Sequence, residues 1–126
     1  MKKLLAPVLA LCLLLSLIGC AGQPTEKVYT VGICQLVTHE ALDAATKGFK
    51  DALIEALGEE HVKFDEQNAA GSADVCATIA NNFASKNVDL ILANATSALQ
   101  ACANATATIP ILGTSITEYG VALGID

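Results

Sequence analysis

The residues of this 126-residue chain best suited to hold a small polar ligand sit where apolar runs end. The run VDLIL, residues 88–92, is apolar except for Asp89. Ala93, Asn94, Ala95, Thr96 and Ser97 follow, all small or carrying an amide or a hydroxyl, and then a helix-like stretch over 98–105. A buried strand feeding a polar loop and a helix start is the usual seat for a ligand in an open α/β sheet. The first amides of a helix lack intrahelical acceptors and lie at the positive end of its dipole, so they suit an anion. Thr and Ser also cap helices with no ligand involved, and the segment alone leaves both readings open. Two other apolar runs end in a similar way. One gives Gln35, then Thr38, His39 and Glu40; the other gives Thr114, Ser115 and Thr117.

Other chemistry is poorly supplied. Glu40 and Asp43 fall in the first turn of a predicted helix, where acids suit the dipole, and they read as that rather than as catalytic carboxylates. His39 is open between a ligand contact and a half-exposed residue at the helix start. No G-x-S-x-G elbow, G-x-G-x-x-G loop or pair of carboxylates after a strand occurs, which argues against an enzyme. Of the five cysteines, Cys12 lies in the N-terminal leader and Cys20 directly after it. Cys34, Cys76 and Cys102 form no CxxC and have no histidine nearby, so no metal site is expected. Each reads as a buried small hydrophobe; one disulfide is conceivable but its partners are not assigned. No cofactor is called for. The N-x-T patterns at Asn94 and Asn104 read as chance.

The elements that must position these groups follow from periodicity. A strand is predicted over 27–37, then a helix over 40–57 with Leu42, Ala45, Phe49, Leu53 and Ala56 on one face and Gly58 as its stop. A half-exposed strand over 61–67 and a loop lead to a helix over 73–86. Ser72 caps that helix, and Cys76, Ile79 and Phe83 form its buried side. Asn87 turns into the strand over 88–92, the helix over 98–105 follows, and a last strand over 108–117 opens around Pro110. A β-α-β-α-β-α-β order demands an α/β fold: a three-layer, flavodoxin-like parallel sheet with right-handed crossovers. The expected strand order is 2-1-3-4. Strands one and three are then central, and their carboxyl ends flank the switch point where ligands bind.

The N-terminus reads as an address. Lys2 and Lys3 precede an apolar run over 4–18, shorter than the roughly 20 residues that span a bilayer. Leu17-Ile18-Gly19-Cys20 resembles a bacterial lipobox, which implies a signal peptide over 1–19, lipidation of Cys20 and a tether over 20–27. Loss of Lys2 and Lys3 takes the formal charge from −6 to −8, and no arginine occurs anywhere. Such a surface repels nucleic acid. The domain proper would occupy 28–126. Residues 120–126 read as chain in mid-flow, so an N-terminal fragment of a longer protein is expected.

The stretches YTVGICQLVTHEALDAATKGFKDAL, FDEQNAAGSADVCATIANNF, VDLILANATSALQACANAT and IPILGTSITEYGVAL together resemble the substrate-binding lipoproteins of ABC transporters, of the tryptophan- and aromatic-amino-acid-binding type. That family is two-lobed and closes on its ligand, so the resemblance implies that this chain is most of one lobe. It implies ligand contacts from Gln35, Thr38 and His39 after strand one, and from Asn94, Ala95, Thr96 and Ser97 after strand three. Thr114, Ser115 and Thr117 would contribute after strand four. Relatives often carry proline where Ser97 stands, which makes Thr96 the expected cap and Ser97 the first helical residue. A guanidinium clamp, if the site has one, belongs to the other lobe. The implied partners are a small-molecule ligand, an amino acid first of all, ABC permease subunits, and the membrane through the lipid anchor, on the extracytoplasmic side. A lipid-anchored sensor serving a signalling receptor and the same fold holding a sugar-like solute are the alternatives.

Overall fold

The computed structural model describes residues 26–125; the predicted signal peptide, the lipobox-like motif with Cys20 and most of the predicted tether lie outside them. Four strands alternate with helices: β1 (Tyr29–Gln35), α1 (Glu40–Leu57), β2 (Val62–Asn68), α2 (Ala73–Lys86), β3 (Leu90–Asn94), α3 (Thr96–Ala105), β4 (Ile111–Thr114) and α4 (Tyr119–Leu123). A 3-10 turn, Glu59–His61, joins α1 to β2. All strand pairs are parallel and the order is β2-β1-β3-β4, as expected from the sequence.

Side-chain alternation along β1 divides the molecule into three layers. Gly32 and Cys34 face α2 and α3. A Cβ at Gly32 would come within 2.7 Å of the Phe83 ring, so only glycine lets α2 approach this closely. Val31, Ile33 and Gln35 face α1, where Gln35 bonds Thr46. The main core lies on the α2/α3 side and holds Cys34, Cys76, Ile79, Phe83, Ile91, Ala93, Leu99 and Cys102. Complete burial of side chains such as Phe83 and Ile91 stabilises the fold by roughly 1.5–3 kcal/mol each. The opposite face is only partly covered. Along α1 the predicted stripe of Leu42, Ala45, Phe49 and Leu53 is half-buried and Ala56 is exposed. Leu112 of β4 projects on this face and is 49% exposed.

Several boundaries differ from the sequence reading, each for a local reason. β3 starts at Leu90 and runs to Asn94 rather than over 88–92, because its ladder with β1 pairs Val31 with Leu90 and Gln35 with Asn94. Ahead of it Asn87 is left-handed (φ 51°), and the Asp89 carboxylate is engaged by the Thr30 amide at 2.8 Å and by Lys27 at 2.7 Å. β4 is much shorter than 108–117. The Thr106 hydroxyl accepts from the amides of Thr108 and Ile109, making a turn there, and Ser115 (φ 59°) ends the strand. The stretch over 120–126, read as chain in mid-flow, contributes residues 120–123 to the short α4, which starts at Tyr119. Glu118 caps it through its carboxylate, and the Tyr119 hydroxyl donates to the Gly113 carbonyl at 2.7 Å.

Candidate functional site

The parallel register brings the predicted loops to one level. Across the sheet Asn68 stands beside Gln35, Gln35 beside Asn94, and Asn94 beside Thr114. These are the last residues of all four strands, so the loops carrying Thr38 and His39, Ala95 to Ser97, and Ser115 to Thr117 leave from a common carboxyl edge.

Beneath this edge lies a polar hub. The Thr46 hydroxyl donates to Gln35 Oε1 at 2.7 Å, and Asn94 Nδ2 donates to the Leu42 carbonyl at 2.8 Å and to Thr46 Oγ1 at 3.0 Å. Gln35 Nε2 donates to the Val37 carbonyl at 3.0 Å and to the Asp43 carboxylate. Gln35 and Asn94, 4% and 0% exposed, are therefore buried struts tying the ends of β1 and β3 to α1. Asp43 joins the hub from the first turn of α1. Asn94 Oδ1 is buried without a protein partner, a deficit of roughly 1–3 kcal/mol. Sequence reasoning missed Thr46. The available signal was its place beside Leu42, Ala45 and Phe49, a hydroxyl on the inward stripe of α1.

Above the hub the rim is polar and open. Thr38 accepts from Asn68 Nδ2 at 3.2 Å. His39 is the N-cap of α1, its Nδ1 accepting from the Ala41 amide at 3.2 Å. Thr96 and Ser97 are half-buried, Thr114 likewise, and Ser115 and Thr117 are exposed. The start of α3 differs from expectation: Ala95, not Thr96, is the N-cap, and Thr96 is already helical. No side chain caps this helix. Ala95 sits at φ 94°, ψ 159°, a region that is essentially glycine's alone. Its amide donates to the Thr114 carbonyl at 3.0 Å, which binds the helix start to β4. The sheet thus ends on a helix whose first amides have no side-chain acceptor, flanked by hydroxyls. Such a place can hold a carboxylate. Among the described residues, no group of three or more His, Cys, Asp or Glu side chains is arranged to hold a metal ion.

Residues 30–124 match the family described as ABC transporter substrate binding protein. The chain belongs to that family. A tyrosine-binding protein of Clostridioides difficile (strain R20291) is 41% identical over 96 residues, covering 75% of the chain and 28% of the relative. Three solved structures superpose with TM-scores of 0.72. A ligand-free, open substrate-binding protein with adhesive properties from Clostridium difficile is 43% identical, over 77% of this chain and 33% of that one. A conserved domain protein from Vibrio cholerae is 36% identical over 76% and 33%. The third, an ABC domain in complex with L-Trp from Streptococcus pneumonia, is 32% identical over the same shares. The chain therefore spans about a third of the length of the relatives it matches.

Proposed function

We propose that this chain is one lobe of the solute-binding component of an ABC importer, and that the solute is an aromatic amino acid. The observation that carries the reading is the uncapped start of α3, level with Gln35 and Thr114 at the carboxyl edge. An amino acid's carboxylate would accept from the first amides of α3, with the helix dipole contributing about 0.3–2 kcal/mol. Thr96 and Ser97 border that seat, with Thr114, Ser115 and Thr117 on the β4 side and Thr38 and His39 on the β1 side. Gln35 and Asn94 position these loops from below. The substrate class rests on kinship with a tyrosine-binding protein and on the L-Trp complex of another relative.

On this reading the protein performs no chemistry. It holds its ligand between this lobe and a second one, and delivers it to permease subunits from the extracytoplasmic side. Cys20 anchors it to the membrane by lipid, as the lipobox motif implies. Metabolic labelling with a radioactive fatty acid tests the anchor. The wild type takes up label and Cys20→Ala does not; label on both would reject Cys20 as the attachment point. Calorimetry of the full-length protein with tyrosine, tryptophan and phenylalanine tests the substrate class. At least one is expected to bind, and a protein silent to all three while binding a sugar would overturn the assignment.

A further inference from the structure

Acids stand at the helix starts along the carboxyl edge, where the dipole favours them: Glu40 and Asp43 on α1, Asp74 on α2 and Glu118 as the cap of α4. The start of α3 carries none. No cation offsets these acids locally. The chain has no arginine, and the lysines among the described residues lie near strand starts, in the middle of α1 or at the far end of α2. Lys47, Lys50 and Lys86 are paired with Asp51, Glu66 and Asp65. The edge is therefore polarised, positive at the bare start of α3 and negative at the start of α1. Asp43 is the acid of α1 that the hub holds in place. One of its oxygens accepts from Gln35 Nε2, and Gln35 is buried and fixed in turn by Thr46. A carboxylate serving only the helix dipole needs no such support. Asp43 is exposed, and among the described residues no lysine pairs with it. The carbonyl of Leu42, the residue before it, accepts from Asn94 Nδ2 at 2.8 Å, and Asn94 leads directly into Ala95, the N-cap of α3. The two poles thus stand over adjoining strands, β1 and β3, which run roughly 4.8 Å apart. Asn94 Oδ1, fully buried and unpartnered, adds an acceptor that lacks a donor at the same place.

We propose that Asp43 is the residue by which this lobe recognises the α-ammonium group of the solute, so that the site selects zwitterionic α-amino acids over aromatic acids that lack the amine. This rests on the carboxylate seat at the start of α3 proposed above. An α-amino acid carries both charges on one carbon. With its carboxylate over α3, rotation about that carbon turns the ammonium along the edge toward α1 and the Asp43 carboxylate. The bond so formed is charge-assisted, the ammonium N–H donating to a carboxylate oxygen. It also brings three donors to a place with acceptors to spare. A solute without the amine leaves the Asp43 charge beside the carboxylate of the ligand, a like-charge contact that nothing in this lobe relieves. Attraction in one case and repulsion in the other both favour the amino acid.

The test is calorimetry of the full-length protein, wild type and Asp43→Asn, with tyrosine and with 3-(4-hydroxyphenyl)propanoate, which differs from it only by the amine. Tryptophan with indole-3-propanoate is the equivalent pair for a protein that prefers the indole. Asparagine keeps an oxygen for Gln35 Nε2 and removes the charge; Asp43→Ser serves if that variant fails to fold. The wild type is expected to bind the amino acid at least about tenfold more tightly than its des-amino counterpart. In the variant this preference should fall to about twofold or less, through weaker binding of the amino acid, with the affinity for the counterpart held or raised. Equal affinities in the wild type, an undiminished preference in the variant, or an equal loss for both ligands would each overturn the assignment. The last would mean that Asp43 only props α1. A protein that binds an aromatic amino acid with its preference intact in the variant loses this assignment alone, whereas one that binds none of tyrosine, tryptophan and phenylalanine loses the substrate class as well.

Discussion

Thr46 is the residue on which the candidate site turns. Its hydroxyl sits between Gln35 and Asn94, so a near-isosteric Thr46→Val change leaves Gln35 Oε1 and Asn94 Nδ2 short of a partner without opening a cavity. The expected cost is roughly 1–3 kcal/mol of stability, read as a lower urea midpoint with an unchanged slope; an unaltered midpoint would mean that the hub contributes nothing. Gly32 is the converse case. Gly32→Ala drives a methyl into the Phe83 ring, and urea titration should show a loss of about 1–3 kcal/mol. Neither role was legible in the sequence. Thr46 is one hydroxyl on an otherwise apolar stripe, and Gly32 reads as a neutral position in a β-branched run until α2 is laid against it. Gln35 and Asn94 stood out by type and place, yet their burial could not be read without α1.

Among the elements, α3 carries the largest departure from ordinary backbone. Ala95 occupies a conformation that costs of order 1–3 kcal/mol for any residue with a Cβ. Ala95→Gly relieves this while making the unfolded chain freer, for an expected net gain of about 1 kcal/mol in thermal or urea unfolding. Destabilisation instead would show that the Ala95 methyl makes a contact worth more than the strain. At the start of β3, Lys27 and the Thr30 amide hold Asp89 below the ordinary carboxylate value of 3.8. A lowered pKa in the folded state means that the unfolded chain binds the proton more readily. The contribution is therefore present above the ordinary value and lost as pH falls through the lowered one. Asp89→Asn should remove that part of the acid dependence in unfolding curves. Element types and order were readable from periodicity because α1, α2 and the strands are strongly patterned. Their ends were not, since they depend on ladder partners (Leu90 against Val31) and on side-chain bonds such as those of Thr106.

At the scale of the whole molecule, the parallel sheet and its order follow from β-α alternation and right-handed crossovers, which left few other arrangements. The carboxyl edge as the place for a ligand follows in turn. What the sequence could not reveal is that Gln35 and Asn94 act as buried struts, which in the proposed function leaves helix amides and rim hydroxyls to meet the ligand. On the proposed two-lobed reading a ligand draws only part of its contacts from this lobe, so residues 20–126 alone should bind an aromatic amino acid at least about tenfold more weakly than the full-length protein, a difference of 1.4 kcal/mol or more. Equal affinity in calorimetry would show the site to be self-contained. The proposed function puts the carboxylate of an aromatic amino acid at the start of α3. Calorimetry of the full-length protein with an aromatic amino acid and with its carboxamide, which lacks the negative charge, tests it most directly. The free acid is expected to bind, and the amide to bind at least about tenfold more weakly; equal affinities, or binding of neither, would rule out that seat.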